Sequence, residues 1–234
     1  MFHIKTNDLY VNFPGTTGFP LRAKGIAHGF NALSGVTFTV RSGDRVGVVG
    51  KNGAGKSTLL RALAGIYPPT HGHIETVGKI SSMFNMGLGM QLDYSGMRNI
   101  HISNLISGVP HHLRKKALSD IVDFCELGGF LNNPVRTYSS GMGMRLKFAC
   151  ATTLNPEILL LDEWVGAGDE EFQTKATKRM HGLVENSGIV VLATHNIPLM
   201  KKICNKALWL DEGHVVQFGD IDDVLMARTE SVKK

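Results

Sequence analysis

Hydrophobic and polar residues change their period along this chain, and the changes mark out its elements. ILLLD (residues 158–162) and IVVLAT (residues 189–194) are short continuous apolar runs. Runs of this length read as strands buried on both faces of a parallel sheet. A helical pattern from about Glu171 to Glu185 separates them. Strand alternating with helix argues for an α/β fold. Nearer the N-terminus, strands are expected from Ile4 to Tyr10, Val36 to Val40 and Arg45 to Val49, with a Gly/Pro-rich loop from Pro14 to Gly29. A helix is expected after Lys56, stopping near Gly65 and Pro68, followed by short strands at His73 to Val77 and Ile80 to Met83. From about Met97 to Cys150 the spacing becomes helical, punctuated by Pro110, Gly128-Gly129 and Pro134. Strands at Ala207 to Leu210 and His214 to Phe218 and a short helix from Ile221 to Met226 close the pattern. The organisation expected is one domain: a core of about residues 1–90 and 155–234, with a helical subdomain of about residues 91–154 inserted.

Composition changes this picture little. The 234 residues are 43% hydrophobic and 19% charged, an ordinary globular balance, and a chain of this length buries a core without staples. The net charge of +5 is carried by short clusters such as Arg114-Lys115-Lys116 and Lys201-Lys202, which read as solvated faces. Three cysteines, Cys125, Cys150 and Cys204, show no metal spacing and suit reduced thiols in a cytosolic protein. No apolar run approaches the roughly 20 residues that span a bilayer, and MFHIKTNDLY is not a signal peptide. If the protein serves a membrane, another chain does the spanning.

Candidate chemistry begins at Gly50-Lys51-Asn52-Gly53-Ala54-Gly55-Lys56-Ser57, which fits G-x-x-x-x-G-K-[ST]. The glycines let backbone N–H groups turn inward around phosphate, and the helix that continues through Thr58 adds its positive end. Gly50, Asn52, Gly53, Ala54, Gly55, Lys56, Ser57 and Thr58 are therefore the expected ATP contacts. Lys56 supplies a cation to the β and γ phosphates, and the Ser57 hydroxyl can ligate Mg²⁺. A strand before the loop and a helix after it supply the context the motif requires.

Asp162 stands at the C-terminal end of its strand, where open α/β sheets place ligand sites. It can hold Mg²⁺, directly or through water. Glu163, next to it, is a reasonable general base for water attacking the γ phosphate. His195 follows the second buried strand; a strand-end histidine is often a polar cap, but behind a phosphate loop a γ-phosphate contact is expected. Asp169 lies in the Gly-flexed run GAGD, where helix capping is the plain alternative. Tyr138-Ser139-Ser140-Gly141-Met142 reads as a small-residue helix N-terminus whose N–H groups, Ser139 hydroxyl and dipole can face an anion.

In this order, and over about Ile4 to Leu225, the motifs resemble the ATPase subunits of ABC transporters. The resemblance implies a P-loop NTPase: a RecA-like core with an antiparallel β subdomain and an inserted α-helical subdomain. YSSGM stands where that family carries its signature, which in the family faces the γ phosphate held by another subunit. Ser139, Ser140, Gly141 and Asp169 thereby become nucleotide contacts, and two copies of this chain are expected to sandwich two ATP molecules. The family glutamine after the strand that follows the phosphate-loop helix falls, by spacing, at Asn85 or Met86; Asn85 is the candidate, on a shorter arm. The adenine-stacking ring falls at Phe13, with Tyr10 as the fallback.

YSSGM, MGLGM and VGAGDEEF also look like the subfamily that exports cell-envelope polysaccharides: O-antigen, capsule or teichoic acid. The resemblance implies a homodimer on the cytoplasmic face of the bacterial inner membrane, bound to permease subunits and moving a lipid-linked polysaccharide through them. The extra C-terminal carbohydrate-binding domain of some O-antigen exporters is expected to be missing. By the same analogy the helical region, about Met97 to Arg136, carries the permease contact. The alternatives are an ABC ATPase for another substrate, or a non-transport ABC ATPase on nucleic acid or ribosomes. The mild charge argues against nucleic acid. A small-molecule kinase would leave YSSGM and GAGD without a role.

Overall fold

The computed structural model describes residues 1–14, 29–84, 86–87, 89–163 and 170–232. The body of the expected loop between Pro14 and Gly29, together with Asn85 and Asp169, lies outside the described residues. The chain divides into two compact units, one of residues 1–81, 157–164 and 188–234, the other of residues 82–156 and 165–187.

The first unit holds two sheets. Strands β1 (His3–Phe13), β2 (Phe30–Arg41) and β4 (His71–Val77) form an antiparallel sheet in the order β2-β1-β4. The second sheet runs β5-β6-β7-β3-β8-β9. Its members are β3 (Arg45–Val49), β5 (Ile80–Ser82), β6 (Ile158–Asp162), β7 (Ile189–Ala193), β8 (Lys206–Asp211) and β9 (His214–Asp220). β6, β7, β3 and β8 are parallel neighbours and β9 returns antiparallel to β8. The unbroken apolar runs occupy the middle of this sheet: Ile158, Leu159, Leu160 and Leu161 have no exposed surface. Each contributes roughly 1.5–3 kcal/mol by leaving water, an upper bound because unfolded chains already bury some surface.

Helix α1 (Lys56–Leu63) buries Leu59, Leu60 and Leu63. Helix α7 (Ile221–Val232) is twice the length expected from Ile221 to Met226. Helix α6 (Ile197–Ile203) was not expected; Asn196 caps it by accepting from Leu199 N at 3.0 Å, and a proline sits in its first turn. Its Met200 packs so close to β3 that a Cβ on Gly47 would meet Met200 Sδ at 2.4 Å.

The second unit is built from α2 (Gly96–Ile106), α3 (Arg114–Cys125), α4 (Ser140–Ala151) and α5 (Glu170–Asn186), with short 3₁₀ turns at His111–Leu113, Gly128–Asn132 and Val135–Thr137. Phe124, Phe148 and Phe172 pack ring on ring, with centroids 5.5–6.0 Å apart, and join α3, α4 and α5. Arg179 of α5 reaches Asp120 of α3 and the Thr152 carbonyl beyond α4. Buried Asn99 pins the segment before α2: its Nδ2 donates to the carbonyls of Gln91, Tyr94 and Ser95, and its Oδ1 accepts from Gln91 N.

Candidate active site

The phosphate loop is packed from below by its own unit. A Cβ on Gly50 would lie 2.3 Å from the Leu210 carbonyl oxygen. One on Gly55 would lie 2.6 Å from the Ala32 carbonyl and 3.0 Å from Leu33 Cδ2. Gly55 also has φ 102°, a region that favours glycine, and it caps α1 without a side-chain hydrogen bond. The first-turn N–H groups are thereby left for a phosphate. Gly53, at φ 82°, has nothing within 4 Å of its Cβ position, so the upper side of the loop is open. The β8–β9 turn completes the support: Gly213 N donates to the Ala54 carbonyl at 3.1 Å, and Ser34 N donates to the Gly213 carbonyl at 2.9 Å.

Lys56 folds over this loop, its Nζ donating to the Gly50 and Lys51 carbonyls at 2.9 Å each. Burial lowers the Lys56 ammonium from its ordinary range, Arg228 of α7 lowers it further, and Asp162 and Glu163 oppose both. Asn52 is exposed, Ala54 buried and Thr58 half-buried on α1. Ser57 Oγ donates to Asp162 Oδ1 at 3.1 Å, which brings the two expected metal ligands together from α1 and the end of β6.

Glu163 follows Asp162 with φ 74°, an uncommon conformation for a residue with a Cβ. Its N–H donates to the Ala193 carbonyl at 2.8 Å. Its carboxylate accepts from Thr194 Oγ1 at 2.9 Å on Oε2 and from His195 N at 3.1 Å on Oε1. His195 is exposed on the turn between β7 and α6. Loop, Asp162, Glu163 and His195 thus lie together in the first unit, at the C-terminal ends of β3, β6 and β7.

Phe13 is not an isolated ring. It stacks on Phe30, its register partner across β1 and β2, with centroids 5.3 Å apart, and meets Tyr67 edge-on at 5.2 Å. Tyr10 packs edge-on against His71. Phe30, 57% exposed, is the open face of the cluster and was not singled out from sequence. Pairing of the ends of β1 and β2 is the signal that would have found it.

Ser139, Ser140 and Gly141 belong to the second unit. Ser139 is the N-cap of α4, its Oγ accepting from Met142 N at 3.2 Å. A Cβ on Gly141 would meet only Ser139 Oγ, at 3.9 Å. Tyr138 is anchored by donating to the Phe130 carbonyl at 2.8 Å. Thr194, Gly213 and Arg228 were also missed. A hydroxyl beside a strand-end histidine was visible for Thr194, whereas a lone glycine or arginine far down the chain carries no local sign.

A sequence profile described as ABC transporter matches residues 33–166. O-antigen export system ATP-binding protein RfbE of Yersinia enterocolitica is 49% identical over 186 residues, 80% of this chain and 78% of that protein. O-antigen export system ATP-binding protein RfbB of Myxococcus xanthus is 40% identical over 201 residues, 86% of this chain but 46% of that longer protein. Teichoic acids export ATP-binding protein TagH of Bacillus anthracis is 36% identical over 203 residues, 87% of this chain and 37% of its own length. Among solved structures, one described as the ATP binding subunit of an ABC transporter superposes with a TM-score of 0.74 over 97% of this chain and 93% of its own, at 22% identity. That likeness speaks for the fold, and the sequence matches speak for the family: this chain belongs to the ATP-binding proteins of ABC transporters.

Proposed function

We propose that this chain hydrolyses ATP to power export of a lipid-linked cell-envelope polysaccharide through a separate membrane permease. The observation that carries the hydrolytic part is Glu163, held beside Asp162 and the phosphate loop with its carboxylate fixed at both oxygens. Ser57 Oγ and Asp162 are hard oxygen ligands of the kind Mg²⁺ accepts alongside phosphate oxygens and water. Bound there, Mg²⁺ supplies positive charge to the phosphates. Lys56 exchanges a loop carbonyl for a phosphate oxygen. Glu163 takes the proton of the attacking water as the new O–P bond forms and the bond between Pγ and the bridging oxygen breaks. His195 contacts the γ phosphate, and Phe13 with Phe30 receives the adenine.

The polysaccharide is supported by the relatives that export O-antigen and teichoic acids. The two compact units act as one nucleotide-binding cassette. The open space at Gly141 supports a homodimer in which Ser139, Ser140 and Gly141 of each copy meet ATP held by the other. No helix among the described residues is long and apolar enough to cross a membrane. The chain works peripherally, at the cytoplasmic face of a bacterial inner membrane. Leu105, Ile106 and Phe130, more than half exposed on the second unit, are the apolar side chains offered to the permease.

The test is Glu163→Gln. Turnover is expected to fall at least about 100-fold while ATP binding persists, because the base goes and the phosphate cradle stays. In cells the lipid-linked glycan then accumulates unexported. Unchanged hydrolysis, or loss of ATP binding, overturns the assignment.

A further inference from the structure

We propose that Thr194 is a positioning residue for Glu163, tying the carboxylate to the turn that carries His195 so that the two groups act as one body. Thr194 directly follows β7, with 3% of its surface exposed. Its hydroxyl is used in both directions, donating to Glu163 Oε2 at 2.9 Å and accepting from Asn196 N at 3.1 Å. Asn196 in turn caps α6 through Leu199 N. The Glu163 carboxylate is therefore joined, through one buried hydroxyl, to the start of a helix.

Strand register brings the two residues together. Asp162 pairs with Ala193 in parallel register, so Glu163 emerges level with Thr194 beyond the C-terminal ends of β6 and β7. Its left-handed φ of 74° turns the side chain across to β7. Two donors from consecutive residues, Thr194 Oγ1 and His195 N, then hold the two carboxylate oxygens. An exposed glutamate side chain otherwise samples several rotamers, and a base that wanders by about 1 Å loses on the order of 100-fold in rate. A carboxylate offers about four lone-pair positions. Two donors fix its plane and leave positions free for a water. Because His195 supplies one donor from its own backbone, a shift of the turn moves base and imidazole together.

This inference rests on Glu163 being the base, and the test separates the two. Thr194→Val keeps shape and β preference but removes the hydroxyl; Thr194→Ala removes it with a smaller side chain, should the valine disturb folding. In the intact protein both are expected to lower kcat roughly 10- to 100-fold with the KM for ATP within about 2-fold of wild type. Thr194→Ser is expected to restore kcat. Wild-type or raised kcat in the hydroxyl-less variants overturns the inference, as does a parallel change of KM or failure of serine to rescue. If Glu163→Gln keeps turning over, the base assignment falls. If Glu163→Gln is inactive and Thr194→Val is not, only the role of Thr194 falls.

Discussion

At the start of α1 in one compact unit and of α4 in the other, glycine is used for opposite reasons. At Gly50 and Gly55 a Cβ would run into backbone oxygens 2.3 and 2.6 Å away. The fold itself fills that space. At Gly141 a Cβ would meet nothing nearer than 3.9 Å, and at Gly143 nothing within 4 Å. The fold leaves that space empty, and Gly141 costs α4 some helix propensity for no internal gain. No contact within its own chain calls for glycine at position 141.

The largest effect that sharpens this contrast is expected from Gly55→Ala. The left-handed φ and the Ala32 carbonyl both oppose the new methyl, so about 3 kcal/mol of stability is lost. Thermal unfolding should fall by roughly 6–12 °C, with ATP binding lost alongside. A stable Gly55→Ala protein that binds ATP would break the comparison from one side. Gly141→Ala should do the reverse: melting unchanged or slightly raised, by at most about 1 kcal/mol, with turnover lost because, in the proposed homodimer, the methyl occupies the space for another copy's γ phosphate. Full turnover in Gly141→Ala would break it from the other side. Smallest is Ser139→Ala, which removes the α4 cap and costs about 1 kcal/mol, a fall of roughly 2–4 °C. A turnover loss far beyond that fall separates a ligand role for the hydroxyl from its role as a cap.

Much of the architecture was legible because it rests on local pattern. The strands at Arg45–Val49 and Ile158–Asp162 coincide with their apolar runs, and the phosphate loop sits between strand and helix as its motif requires. The positions of Asp162, Glu163 and His195 at or just beyond strand ends were legible in the same way. What escaped was set by contacts between distant residues. α6 has only seven residues, too few for a periodic signal, although Asn196 and Pro198 mark its start. The ties from α5 to α3 are made by Arg179 and Lys175 with Asp120 and Glu126, which no spacing rule joins. Phe30 became visible only once β1 and β2 were paired, and Gly213 only once its turn lay under Ala54.

The Gly213 bond has a consequence for how the protein is made. The phosphate loop, at residues 50–57, leaves the ribosome well before the Leu210 carbonyl and the Gly213 N–H that underpin it. A nascent chain ending before Gly213 carries every phosphate-binding residue and lacks the shelf they rest on. Nucleotide competence then waits until the chain has been made through Gly213, after the helical unit has been synthesised. Such a delay lets the rest of the cassette form before ATP can act on it.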